Sequence, residues 1–342
     1  MRSGRVRTLL KDPAAALAGE RSQSPTWAKW IERTALPVVW VGLIVGYSIA
    51  LPSTFPTVGN ISATLGSQVI TLLLALALMI PLLAGDYDLS VSYNAALCAM
   101  VISVLNVRQG WPWYAAAVLV LFIGVLIGLV NAAVTLWFGI DSLIVTLGVG
   151  TLLSGVELLI SGSAIVSGVS GQLVAVITNR VLGVPLEFWY GAVICILLWY
   201  FLSFTPAGRR LLFVGRSRTV SRLSGIKVGR VRLLSFVAAG TISAICGIVF
   251  AGTLNGATPS SGPTYLLPAF AAVFLGATTI VPGRFNPWGA FVAVYFLGTG
   301  ITGLELLGLA SWIQPIFYGG ALLIAVALSQ LARGRQPLQT AS

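Results

Sequence analysis

Long apolar stretches, separated by short breaks of glycine, proline, asparagine, acids or cations, make up most of this chain. Ten such runs are legible, near residues 35–52, 61–84, 91–106, 113–138, 142–161, 188–204, 233–253, 265–281, 286–307 and 311–331. A helix needs about 20 apolar residues to cross the roughly 30 Å hydrocarbon layer of a bilayer. The pattern therefore predicts an all-α, polytopic integral membrane protein with about ten transmembrane helices. The run at 91–106 is the shortest. Two breaks, residues 162–187 and 254–264, are too rich in Gly, Ser, Thr and Pro to span. They predict a cap on one side of the membrane, with a short helix around 171–180.

Composition agrees with lipid as the solvent. Apolar residues are 57% of the chain, charged residues 8%, and the mean hydropathy is +0.95, which leaves too little polar surface for a water-soluble domain of 342 residues. A net charge of +11 would suggest nucleic acid in a soluble protein, but here the cations sit in tails and interhelical breaks. Their distribution fixes a topology instead. Residues 205–232 hold eight cations (Arg209, Arg210, Arg216, Arg218, Arg222, Lys227, Arg230, Arg232) and no carboxylate. Ten crossings that start in the cytoplasm leave 18 of the 20 cations inside and only Arg108 and Arg180 outside. That asymmetry is what the positive-inside rule demands. The expected organisation is a cytoplasmic arm at 1–34 without a cleavable signal, a membrane domain at 35–331 that includes the cytoplasmic loop 205–232, and a cytoplasmic tail at 332–342, with both termini cytoplasmic.

Candidate chemistry is sparse. The chain has no histidine and no phosphate-binding Gly-x-x-x-x-Gly-Lys-Ser/Thr loop, and Cys98, Cys195 and Cys246 lie singly in apolar runs. No metal, catalytic group or cofactor site is expected, and any energy for transport comes from an ion gradient or another polypeptide. Central ionisable residues, which an ion-coupled carrier needs, are few. The most suggestive acids are Asp86 and Asp88, in Gly85-Asp86-Tyr87-Asp88-Leu89-Ser90-Val91. Asp88 is placed to cap the next helix through its carboxylate; alternatively, the segment is a break in a helix that lines or gates a pathway. Ser90 belongs to the same segment, while Asn94, Asn131, Thr146 and Gln314 are polar positions suited either to a pathway or to hydrogen bonds between helices. Gly124, Gly128, Gly148, Gly150, Gly240, Gly247 and Gly276 allow helices to approach closely.

Several motifs occur together in a telling order. Gly85 to Val91 is followed by Ser142-Leu143-Ile144-Val145-Thr146-Leu147-Gly148, then Gly208-Arg209-Arg210, Val214-Gly215, Arg222-Leu223-Ser224-Gly225-Ile226, and the stretch from Tyr265 to Gly289. Over roughly residues 60–330 the chain resembles the ribose/xylose/galactose-type ABC sugar permeases, the inner-membrane components of binding-protein-dependent transport systems. The resemblance implies a non-enzymatic subunit of an ATP-driven importer in the bacterial inner membrane. It implies a second permease subunit, a cytoplasmic ATP-binding subunit that holds ATP and Mg, and an extracytoplasmic solute-binding protein. It also makes Gly208, Arg209, Arg210, Gly215, Arg222, Leu223, Ser224, Gly225 and Ile226 candidates for the ATPase-coupling surface, against the alternative that the arginines serve topology alone. An ion-coupled carrier and a channel or scaffold are the competing readings.

The chain departs from the family pattern at identifiable places. Asp86 and Ser92 stand where glycine is common, Arg216-Ser217 replaces a common Gly-Asn, Pro268 occupies a common acidic position, and Phe285 follows Gly283-Arg284 where a glycine is frequent.

Overall fold

The computed structural model describes the backbone of residues 26–332 and the side chains of residues 33–327. Most of the expected arm at 1–34 and nearly all of the tail at 332–342 lie outside the described residues. The described residues begin with α1 (Thr26–Ala50), α2 (Val58–Ser67) and α3 (Val69–Leu83), followed by α4 (Ser90–Val107), α5 (Trp113–Trp137) and α6 (Ser142–Ser161). A short strand β1 (Val166–Ser167), the helix α7 (Gly171–Thr178) and the hairpin β2 (Arg180–Val181) and β3 (Val184–Pro185) lead to α8 (Leu186–Phe204). The amphipathic helix α9 (Pro206–Arg216) and the short helix α10 (Arg218–Leu223) precede α11 (Val228–Thr253), β4 (Gly256–Ala257), α12 (Gly262–Gly276), α13 (Pro287–Leu306) and α14 (Ile313–Ala332).

Each apolar run contains a helix. Among the described residues, eight segments are long and apolar enough to cross a membrane, α2 and α3 counting as one interrupted at Gln68, and the protein is a multi-pass integral membrane protein. The other two runs give shorter apolar helices, Gly262–Gly276 and Ile313–Ala327 within α14. The run expected at 265–281 is displaced because its helix starts three residues early and stops at Gly276, whose backbone lies against Gly289. Beyond it the chain turns, with Ile280 in the left-handed region.

The helix α3 reads VITLLLALALMIPLL, without a polar face, and every residue from Val69 to Leu83 is buried. It forms the axis of the bundle, in contact with α8, α11, α12 and α13. Beside it α5 and α11 cross backbone to backbone. A Cβ on Gly124 would strike Ala244 and the Gly240 carbonyl, and one on Gly128 the Phe236 carbonyl, so glycine is required where the two helices touch.

The breaks at 162–187 and 254–264 meet at one end. β1 pairs antiparallel with β4, Val166 opposite Ala257 and Ser167 opposite Gly256, and α7 forms where a short helix is expected. Two buried acids serve this end: Glu187 accepts from the Thr253 hydroxyl, and Glu157 accepts from the Ser260 N–H. Arg108 donates to the Ser161 carbonyl there. The island of cations lies at the opposite end. Arg33 joins it, its carbonyl accepting from the Ile280 N–H and the Thr279 hydroxyl in the turn that carries Arg284.

Candidate functional site at the cationic end

After Leu83 the chain leaves its helix, and residues 84–89 run without regular structure until α4 starts at Ser90. Gly85 makes this possible, with φ at 79°. Asp86 then points into the cationic island. Its carboxylate is 2% exposed and receives a bidentate contact from Arg232, Nε to Oδ2 at 2.7 Å and Nη2 to Oδ1 at 2.6 Å. Arg218 approaches the same Oδ1 at 2.9 Å and also donates to the Gly85 carbonyl at 2.7 Å. A planar guanidinium fork matched to a carboxylate is the strongest ion-pair geometry proteins use. The segment at 84–89 is thereby tied to α10 through Arg218 and to the second turn of α11 through Arg232.

Asp88, two residues on, occupies a different environment. Its Oδ1 accepts from the Ser90 N–H at 3.0 Å, from the Ser90 hydroxyl at 2.6 Å and from Asn131 Nδ2 at 3.4 Å. The first of these meets a free N–H at the start of α4, the kind of contact expected of this carboxylate, although the capping position itself falls to Leu89, one residue on, which makes no side-chain cap bond. Burial without a cation pushes the Asp88 carboxyl up to about 6, while the hydrogen bonds from Ser90 and Asn131 act in the opposite direction. Asn131 also donates to the Ser90 hydroxyl at 2.7 Å. On the other side, α6 holds the backbone of the segment: the Tyr87 N–H donates to the Ser142 hydroxyl and the Leu89 N–H to the Thr146 hydroxyl, each at 3.0 Å. One turn further along α4, Asn94 Nδ2 donates to the Gly240 carbonyl at 3.1 Å.

The structure thus places Asp86, Asp88, Ser90, Asn131 and Thr146, all buried, on or against the 84–89 segment, Asp86 facing the arginines and Asp88, Ser90 and Asn131 bonded to one another, with Asn94 one turn away. Gln314 is elsewhere. It is exposed at the far end of the bundle and donates to Glu305 at 2.6 Å.

The candidate coupling residues divide by role. The Gly208 Cα sits against the backbone of Phe201 and Leu202, and Gly215 against the Leu83 carbonyl, so neither position has room for a Cβ and α9 lies directly on the end of α3. Gly225 has φ at 77° and turns the chain out of α10 into α11; Ser224 donates to the Val220 carbonyl just before it. Ile226 is half-buried, whereas Arg209, Arg210, Arg222 and Leu223 are exposed, Leu223 at 84%. Between α9, the end of α3 and the turn after α12 lies a cavity of about 440 Å³, lined by Gly85, Tyr87, Gly215, Arg216, Arg284 and Phe285 among others. Motif segments nearly 200 positions apart in the chain, from Gly85 to Arg284, therefore converge at one place.

Sequence reasoning did not single out Arg218, Arg232 or Ser142 as partners of this network. The signal for the arginines was present: Asp86 is an added acid on the cytoplasm-facing side of the predicted topology, and the island holds eight cations with no acid of its own. Their pairing follows from charge balance in a buried setting.

Residues 60–326 match the family described as "Branched-chain amino acid transport system / permease component". The chain belongs to this permease family. Within it, the permease is 32% identical over 260 residues to the "Autoinducer 2 import system permease protein LsrD" of Photorhabdus luminescens, covering 74% of this chain and 78% of that one. It is 29% identical over 289 residues to the "Ribose import permease protein RbsC" of Haemophilus influenzae, covering 83% and 88% of the two chains. With the "D-allose transport system permease protein AlsC" of Escherichia coli it shares 27% identity over 280 residues, 82% of this chain and 86% of the other. The expected membership in the ribose/xylose/galactose-type permeases is thus met. The matched span includes every element of the cationic-end site.

Proposed function

We propose that this chain is the membrane permease subunit of an ATP-driven importer for a monosaccharide or a related small polyol. It would act in the bacterial inner membrane with both termini in the cytoplasm, crossing about ten times. Its partners would be a second permease subunit, a cytoplasmic ATP-binding subunit carrying ATP and Mg, and an extracytoplasmic binding protein that delivers the solute. The substrate class rests on relatives named for ribose, D-allose and autoinducer 2.

One observation carries the mechanism: α9 and α10, which bear the candidate coupling residues, are joined to the core through Gly215 on Leu83 and through Arg218 on Asp86. A displacement of these helices by an ATPase would reach the end of α3 and the 84–89 segment without an intervening flexible linker. Asp88, Ser90, Asn131 and Thr146 are each 1% exposed or less in this chain. Any part they play in a pathway therefore requires α4, α5 and α6 to separate from the arrangement described, which is a two-state change of packed helices.

The test is uptake by proteoliposomes containing the permease, its ATPase and its binding protein. Accumulation of labelled pentose or hexose should require ATP inside the vesicle-equivalent cytoplasmic face and vanish without the binding protein. Uptake driven by an ion gradient with no ATPase would sink the proposal in favour of an ion-coupled carrier.

A further inference from the structure

A second concavity at the cationic end is unlike the first. It is a groove of about 790 Å³ between α8 and α11, floored by Ile80 of α3 and closed at one end by the α10–α11 turn. Its mouth carries Arg210, Lys227 and Arg230, all exposed, and no described residue offers any of the three a carboxylate. Its body is apolar, lined by Leu198, Phe201, Leu234, Ala238 and Ile242. From Arg230 to Ile242 is twelve residues of α11, about 18 Å at the helical rise of 1.5 Å per residue. That is the reach of a fatty acyl chain of moderate length running from the membrane surface toward the midplane.

We propose that this groove binds one anionic phospholipid, with the phosphate among Arg210, Lys227 and Arg230 and an acyl chain along Leu234, Ala238 and Ile242. Charge and depth select this occupant. A soluble partner reaches the mouth but not an apolar lining that extends about 18 Å along α11 away from it, and a second copy of the chain would bring a surface equally dominated by cations to a mouth that already holds three. A zwitterionic lipid supplies the chain but not the net negative charge. An anionic lipid supplies both, and basic pockets between membrane helices on the cytoplasmic side are suited to such headgroups. The site depends on the cytoplasmic orientation proposed above but on no assignment of substrate.

Native mass spectrometry of the full chain in detergent, titrated with dioleoyl phosphatidylglycerol or dioleoyl phosphatidylcholine, tests it. One phosphatidylglycerol should be retained per chain at concentrations where phosphatidylcholine is not. The variant Arg210→Gln/Lys227→Gln/Arg230→Gln should weaken that binding on the order of a hundredfold, since each cation near a headgroup is worth about 1 kcal/mol. Ala238→Phe, which fills the apolar body and leaves all cations in place, should weaken it at least about tenfold, the equivalent of a bulky obstruction excluding a few methylenes. Arg209→Gln/Arg216→Gln/Arg222→Gln removes the same charge outside the groove and should leave binding unchanged, which also reports on folding independently of sugar uptake. Equal retention of the two lipids, undiminished binding in the groove triple variant, equal weakening by the two triple variants, or indifference to Ala238→Phe would each overturn the proposal. So would a second copy of the chain, rather than lipid, lost on Ala238→Phe.

Discussion

Replacing Asp86 by Asn removes one negative charge from between two arginines while keeping nearly the same shape. The Arg232 contact is the larger part of the effect: its side chain is 16% exposed and Asp86 2%, with both oxygens engaged at 2.6–2.7 Å. With charge centres about 4 Å apart and an effective dielectric near 20, the attraction is roughly 4 kcal/mol. Removing one partner of a largely buried pair costs about 3–5 kcal/mol, because the other charge stays behind. Arg218 is 41% exposed, so solvent screens its share to about 0–1 kcal/mol. Asp86→Asn is therefore expected to destabilise the permease by about 3 kcal/mol, Arg232→Gln by a similar amount and Arg218→Gln by no more than about 1 kcal/mol. The double variant Asp86→Asn/Arg232→Gln should recover about 2 kcal/mol relative to the sum of its parts, since neither charge is then left unpaired. Unfolding of the purified chain in mixed micelles with increasing dodecyl sulfate, followed by circular dichroism, supplies the four values. Additive single effects, or an Asp86→Asn midpoint indistinguishable from the parent, would refute the reasoning. The same logic predicts that Asp86→Gly, which restores the residue common in the family, harms this chain unless Arg218 and Arg232 are changed with it.

Asp88 should behave oppositely. Its folded value of about 6 exceeds the ordinary 3.8, so the folded chain takes up the proton first, and the cost of ionising it is absent below pH 3.8 and complete above about pH 6. Asp88→Asn keeps the acceptor for Ser90 and Asn131 and should raise stability at pH 7 by up to about 3 kcal/mol, with the two proteins converging near pH 4; greater instability of Asp88→Asn at pH 7 would contradict this. Gly215→Ala should cost about 1–3 kcal/mol and impair ATP-driven uptake by pushing α9 off Leu83, whereas Gly148→Ala, with open space around the new methyl, should stay within about 0.5 kcal/mol of the parent. Arg209→Ala/Arg210→Ala/Arg222→Ala should insert with normal topology, because the remaining cations of the island keep the orientation, yet fail to stimulate ATP-driven uptake. Normal uptake by that variant would remove these arginines from the coupling surface.

The membrane class, the approximate positions of the helices and the short helix α7 were legible in the sequence because each depends on local quantities: run length, hydropathy and the placing of breakers. The glycine crossing of α5 on α11 was legible only as an ability, since Gly124, Gly128, Gly148 and Gly240 look alike in the sequence, yet the first, second and fourth meet another backbone and Gly148 meets nothing. The bond from Asp88 to the start of α4 could be read because its partner Ser90 is two residues away, though the capping position itself is Leu89. Asp86 could not be assigned a partner the same way, since Arg218 and Arg232 lie 132 and 146 positions along the chain. The pairing of β1 with β4 was hidden for the same reason, and strands of two residues carry no periodicity to read. Five of the seven pathway candidates do lie on or against the 84–89 segment, but a hydroxyl or amide in an apolar run signals only that some partner exists, which is why Gln314 was grouped with them and lies apart.

The bare backbone contact between α5 and α11 has a mechanical consequence. Where two helices touch through glycine Cα atoms and carbonyls, no side-chain rotamer stands between them to absorb a push, so small relative movements meet a stiff wall and the pair travels as one body. Helix α11 has 26 residues, about 39 Å of axis at 1.5 Å per residue. Its first turns hold Asp86 through Arg232, and its last residue leads into the strand that clasps β1. A tilt imposed at the arginine end would then carry α5 along with it and shift the loops at the far end of the bundle, which makes the pair a single strut running the length of α11.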